Sequence, residues 1–286
     1  MLVALAINAA MLAVGVAGGI LTGSLAVLAD AGHVLSDVGS IVLALLAAGL
    51  AARPAGARRT FGYHRSEVLA ALVNGLLLVA VAVGIAVAAI GRFGDPPQID
   101  GAGVLALGVF GLAGNVAATV VLARGQREDI NLEGVLRHSV ADALGSLGVI
   151  VAGAVILAGG SAIADPIVGL LIAILVLASS WRLIKEPVDV LMEAAPSGLD
   201  VDKMGAAICS EQGVRAVHEL HVWTVTAGFG ALAAHVVVAR DSDRDLIRRR
   251  LEVLLHERFG LDHTTLQMEE EAGEALLQVE NGPRNP

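Results

Sequence analysis

A helix that crosses a membrane needs about 20 consecutive, mostly apolar residues. This chain holds six such runs, at roughly 2–22, 25–50, 68–91, 101–123, 138–158 and 164–184. In hydrocarbon every backbone N–H and C=O must be satisfied within the spanning segment, so runs of this kind can only be helices. The breaks between them carry turn chemistry: Thr22-Gly23-Ser24, Asp95-Pro96-Pro97 and Gly159-Gly160-Ser161. With 56% hydrophobic and 16% charged residues, the 286-residue chain does not have the composition of a soluble domain. Its apolar bulk is Ala, Val, Leu and Gly, which let helices approach closely in lipid. The opening run is too long for a cleaved signal and lacks a basic start, so it reads as the first spanning helix.

Lys and Arg in the short loops set the orientation. The loop after the second run carries Arg53, Arg58, Arg59 and Arg65. Arg124 and Arg127 follow the fourth run, and Arg182 and Lys185 close the sixth. The opposite loops hold only Arg92. Both termini are therefore expected in the cytoplasm, and the short termini without organelle signals point to a bacterial inner (plasma) membrane. The formal net charge of -9 comes largely from C-terminal acids and speaks against nucleic acid as a partner. The single cysteine, Cys209, excludes an intrachain disulfide and a thiolate cluster.

The sequence changes character at Glu186-Pro187. Residues 1–185 read as a six-helix transmembrane domain, residues 186–271 as a small cytoplasmic α+β domain, and 272–286 as an acidic, disordered tail. Within the second domain, 200–209 is expected to be a helix and 214–226 a β-branched strand. A turn at Ala227-Gly228-Phe229-Gly230 leads into a second strand at 231–239. Residues 242–258, with Ser242 as N-cap, have helical spacing of Leu246, Ile247, Leu251, Leu254 and Leu255, and 264–269 is a third strand. The order αββαβ suggests an open sheet with its helices on one face.

One pattern carrying chemistry occurs twice. His33 and Asp37 lie four residues apart inside the second run, and His138 and Asp142 four apart at the start of the fifth. Residues i and i+4 share a helix face. A carboxylate in hydrocarbon costs at least ~2.5 kcal/mol and rarely faces lipid. A divalent cation would compensate two imidazoles and two carboxylates together. Imidazole suits zinc and other late first-row ions, whereas calcium and magnesium prefer all-oxygen shells. Four protein ligands fill a tetrahedral shell and leave no position for a catalytic water, which favours binding and carriage over hydrolysis. Asp30, three residues before His33, is a candidate minor group, either at the entry to the site or steadying its ligands from behind. Asn8, Asn74 and Asn115 are expected to form hydrogen bonds between helices.

The segments SLAVLADAGHVLSDV, TFGYHRSEVLAALVNG, RHSVADALGSLGVIVAG, KEPVDVLMEAAP and VHELHVWTVT together resemble the cation diffusion facilitator family, in its zinc-transporting branch. The resemblance spans nearly the whole chain. It implies six transmembrane helices, a metallochaperone-like (ferredoxin-like) cytoplasmic domain, a homodimer, and export of Zn²⁺ in exchange for protons. It places the transport site on His33, Asp37, His138 and Asp142, and in such proteins a His at the first position accompanies zinc preference. It also implies metal in the cytoplasmic domain, as a regulatory ligand, at His218, His235, Asp262, His263 and Glu269, with His221 nearby. His218 and His221, three apart in a strand, are expected on opposite faces. His64 lies where some members hold a minor third site. The 125–129 loop lacks the His-rich segment of some relatives. The alternatives are an exporter of Cd, Co, Fe or Mn, a metal sensor, or an intramembrane zinc hydrolase. The last would need an H-E-x-x-H type motif, which is absent from this sequence.

Overall fold

The computed structural model of the chain describes residues 2–125 and 132–270, with the side chains of residues 2, 4 and 122–139 excepted. The expected tail at 272–286, the loop at 126–129 and the side chain of His138 lie outside the described residues. The chain divides into two compact units, Met1–Val188 and Asp189–Pro286.

The first unit holds α1 (Leu2–Thr22), α2 (Leu25–Ala51), α3 (Arg65–Gly91), α4 (Gly101–Gly125), α5 (Leu132–Leu157) and α6 (Ala164–Leu191). All six are long and apolar enough to cross a membrane. Their outward faces carry bare apolar side chains, Leu21 at 86% and Val87 at 64% exposure among them. A water-soluble unit would not leave so many uncovered; lipid covers them. The interior is built from small residues, including Ala26, Ala29, Ala82, Val104, Val149 and Ala173.

Two helices run past their expected ends. α5 starts at Leu132, six residues before the expected 138, so His138 stands inside a formed helix. α6 continues to Leu191 through a buried Pro187. Proline there removes the bond that its amide would have given to the carbonyl four residues back, and its ring crowds that carbonyl.

The second unit holds α7 (Val201–Cys209), β1 (Val214–Thr226), β2 (Phe229–Val238), α8 (Arg244–Phe259) and β3 (His263–Glu270). The sheet order is β1-β2-β3, with β1 antiparallel and β3 parallel to β2. Leu232, Ala234, Val236 and Val238 on one face of β2 pack with Met204 and Ile208 of α7 and with Ile247, Leu251 and Leu255 of α8. The alternate residues Ala233, His235 and Val237 face the other way. Asp200 caps α7, its side chain accepting from the Lys203 amide at 3.0 Å, and this contact holds its carboxyl below the usual range. The cap of α8 is Asp243 rather than the expected Ser242: its carboxylate accepts from the Leu246 amide at 3.0 Å. Asp serves there as well as Ser, and one residue later it meets the amide three positions on.

Candidate metal centre

His33 and Asp37 project from one face of α2, as their spacing requires. Asp142 projects from α5 to meet them. His33 Nε2 lies 2.7 Å from Asp142 Oδ1. One ligand atom from each of His33, Asp37 and Asp142 falls within 4.8 Å of the other two, which is the spacing a single cation needs. All three residues are half-buried. His138 lies one helical turn before Asp142 in α5.

Polar side chains from neighbouring helices hold this centre. Asn115 of α4 donates to the Asp142 carbonyl at 3.4 Å and to the Ser146 hydroxyl at 3.2 Å. Ser146 in turn donates to Asp30 at 3.4 Å. Asp30 thus reaches α5 rather than its own helix, and glycines make the room. A Cβ on Gly145 would stand 3.0 Å from its Oδ1, and one on Gly111 3.2 Å from its Oδ2. Asn74 of α3 donates to Ser36, three residues after His33, at 3.3 Å. Asn74 and Asn115 therefore bond between helices, as expected; among the described residues no such bond is recorded for Asn8.

His33 and Asp37 line a cavity of about 770 Å³ between α2, α3, α5 and α6. Along α2 the lining runs from Asp30 to Ser40, and along α6 from Ile172 to Leu183 and Arg182. Ser40, Leu144, Leu175 and Arg182 of the lining are exposed, so the cavity opens between its helices, and its exposed polar mouth of Ser40 and Arg182 lies on the side toward the ends of α2 and α6. At the other end Ser24, Leu25, Ala26 and Asp165 are buried. Ser24 caps α2 there, its hydroxyl accepting from the Val27 amide at 3.1 Å.

A second group of ligand atoms lies on the uncovered face of the cytoplasmic sheet. His218, His235 and Glu269 offer atoms within 4.8 Å of one another. Glu269 reaches both imidazoles, at 3.0 Å to His218 Nε2 and 2.7 Å to His235 Nδ1. Hydrogen bonds from His218 first, then Gln267 and His235, hold the Glu269 carboxyl below its ordinary range. The register explains the meeting: His218 opposes His235, and Val237 pairs with Glu269 on β3.

The expectation that His218 and His221 face opposite ways is overturned. His221 opposes Ala233, so three steps along β1 match two along β2. A bulge absorbs the extra residue at Glu219, whose φ is 47°. Val217 and Leu220, also three apart, both pack on the core for the same reason. Glu219 itself comes within 3.4 Å of His235 Nε2, a neighbour that strict alternation hides.

Asp262 and His263 are not brought to this group. His263 pairs with Ala231, four positions along β2 from His235, and its ring stands edge-on to Phe229. Asp262 instead contacts His256 Nδ1 of α8 at 2.6 Å. His64 occupies the N-cap position of α3 without a side-chain cap bond, and no cluster among the described residues includes it.

Comparison with known proteins follows the same division. Residues 1–192 match the family profile described as the cation efflux transmembrane domain, and residues 196–271 that of the cation efflux protein cytoplasmic domain. The chain is 39% identical over 260 residues to the cadmium, cobalt and zinc/H(+)-K(+) antiporter of Bacillus subtilis, covering 89% of this chain and 83% of that one. It is 39% identical over 271 residues to the zinc transporter ZitB of Escherichia coli, covering 94% and 86%. It is 37% identical over 269 residues to the metal cation efflux system protein CzcD of Cupriavidus metallidurans, covering 93% and 85%. Among solved structures, the metal-bound C-terminal domain of the CzcD transporter is 29% identical, with 25% of this chain and 99% of that chain covered and a TM-score of 0.24. With a two-His, two-Asp pattern in its spanning helices and both family domains matched in order, the chain belongs to the cation efflux family of membrane transporters, and is not an enzyme.

Proposed function

We propose that the chain exports Zn²⁺ from the cytoplasm in exchange for protons. The ion is carried by His33, Asp37, His138 and Asp142 between α2 and α5. The observation that carries this reading is the meeting of His33, Asp37 and Asp142 within the spanning helices, with His33 and Asp37 on the wall of a cavity. Neutral imidazole and ionised carboxylate bind the cation, and their protonation opposes it, so loading and proton release are linked at one site. The positive-inside rule supports a cytoplasmic position for the arginine-rich loop after α2, and in this reading the mouth at Ser40 and Arg182 faces inward. Rocking of the helices would then present the same site to the other side. The relatives named as zinc transporters and as a cadmium, cobalt and zinc/H(+)-K(+) antiporter support the choice of cargo and counter-ion. Zinc leads over cadmium because His33 supplies an imidazole.

In this reading residues 1–185 form the transport domain and 186–271 the cytoplasmic domain of a homodimer in the bacterial inner membrane, with cytoplasmic termini. His218, His235 and Glu269 are a donor set that fits zinc: two imidazoles and a carboxylate. They would hold a regulatory ion, whose charge would relieve the crowding of Glu219 and Glu269 around His235.

The test is flux in proteoliposomes carrying a pH-sensitive dye, with external zinc as substrate. The parent protein should move zinc and protons in opposite directions. Asp37→Ala and Asp142→Ala should each abolish both signals, because each leaves the remaining ligands unable to neutralise the ion. Persisting flux in either variant would remove the site; zinc flux without a proton signal would remove the exchange.

A further inference from the structure

One buried acid in the spanning helices is not used by the metal centre. Asp165, in the first turn of α6, is completely buried. Its carboxylate accepts from the Ser24 hydroxyl and from the amides of Leu25, at 2.7 Å, and Ala26, at 3.2 Å. These are the cap and first turn of α2, where the helix dipole favours an anion. Arg92, at the C-cap of α3, lies 3.8 Å from the same carboxylate and donates to the Gly23 carbonyl. Three helices therefore meet in one polar knot, at the end opposite the arginine-rich loop.

The face of α6 that carries Asp165 explains the wedge. Four residues on, Gly169 lies so close to α2 that a Cβ there would stand 3.2 Å from the Leu25 carbonyl carbon and 3.3 Å from the Ala26 nitrogen. Further along the same face come Ile172, Val176, Ser179 and Leu183, which line the cavity. One face of α6 thus touches α2 at its start and stands away from it toward its end.

We propose that Asp165 is a positioning residue of the transport cycle: it latches α6 to α2 at the closed end, and the cycle must open this latch for the metal centre to face that side. The proposal rests on the alternating-access reading above. A polar knot suits an interface that is buried in one state and wet in the other. Its carboxylate, hydroxyl, amides and guanidinium are satisfied by one another when closed and by water when open. The charge matters because charge-assisted bonds are about twice as strong as neutral ones, so removing it weakens the closed state selectively.

The test reads the two ends separately, on the full chain in lipid nanodiscs and in a Cys209→Ser background. Val27→Cys reports the closed end, and Ser40→Cys the mouth, by the rate of maleimide labelling. Asp165→Asn keeps the shape and removes the charge. It should raise labelling at position 27 about tenfold and lower it at position 40, as expected for a two-state equilibrium displaced by a lost charge-assisted bond. Arg92→Gln, at a side chain 27% exposed, should move both rates in the same directions and keeps the test decidable where Asp165→Asn does not fold. Rates that rise together at both ends would reveal general loosening and overturn the latch. Rates unchanged at both positions in the folded variants would overturn it too. Labelling needs no metal, so a failure of zinc export and a failure of the latch are read independently.

Discussion

In the proposed reading His33 is the residue on which the choice of ion turns. Its imidazole lies 2.7 Å from the Asp142 carboxylate across two helices. Imidazole selects late first-row ions, while carboxylates accept a broader range. Replacing it with a carboxylate should therefore loosen selectivity without emptying the site. His33→Asp is expected to retain cadmium transport within a few-fold of the parent while zinc preference over cadmium and manganese falls about tenfold or more, a difference of ~1.4 kcal/mol. Competition flux assays with paired metals measure this ratio, and an unchanged ratio would dissociate His33 from selection. The two His-x-x-x-Asp pairs were legible in the sequence because their spacing is a helical constant and their cost in lipid demands a reason. Asp165 was not. An acid at the start of an apolar run reads as an ordinary helix-start residue, and its partner Ser24 lies 141 positions away. Ser36, Ser146 and Arg92 were hidden in the same way, since a lone hydroxyl or an end-of-helix arginine signals nothing until the helices are placed.

At the scale of elements, glycine decides how closely α4 and α5 approach, and so where Asn115 stands relative to Asp142. A Cβ on Gly153 would lie 2.5 Å from the Leu105 backbone nitrogen, and one on Gly101 2.7 Å from that of Leu157. Both obstacles are main chain, so only a shift of a whole helix could make room. Gly153→Val should therefore destabilise the transmembrane unit by roughly 1–3 kcal/mol, the usual cost of overpacking. It should also slow metal flux, while Gly84→Val, where a Cβ meets nothing within 4 Å, should be tolerated. Thermal unfolding in detergent distinguishes the two, and equal losses would refute the close-packing account. The number and order of the helices were readable from apolar runs alone. Their ends were less so: Pro187 looks like a terminator, yet α6 runs through it to Leu191. The bulge at Glu219 was unreadable, since strand alternation carries no mark of the point where it is interrupted.

The whole molecule joins two units with different solvents. The transmembrane unit covers its outside with lipid, whereas the cytoplasmic unit has a core of its own around Met204, Leu232, Val236, Leu251 and Leu255. That core is built wholly from residues of this unit, so residues 189–270 should fold alone as a cooperative unit. On its uncovered sheet face His218, His235 and Glu269 are already gathered, so zinc should bind the folded form in preference to the unfolded one. A ligand at 100 times its Kd stabilises by ~2.7 kcal/mol, and a domain of this size gains roughly 4–8 °C per kcal/mol. Zinc at that level should therefore raise the Tm of the isolated unit by roughly 10–20 °C. The gain should vanish in His235→Ala, which removes the ligand nearest Glu269. The pKa of Glu269 is lowered on folding, so its contacts are fully present above the ordinary carboxylate range and are lost only as pH falls through the lowered value. Metal binding releases protons from its ligands, so acid opposes it. The zinc-induced rise in Tm should accordingly shrink as pH falls and return on neutralisation. Calorimetry with and without chelator checks each step: a rise that His235→Ala leaves intact, or that pH 5 does not diminish, would place the bound ion elsewhere on the domain.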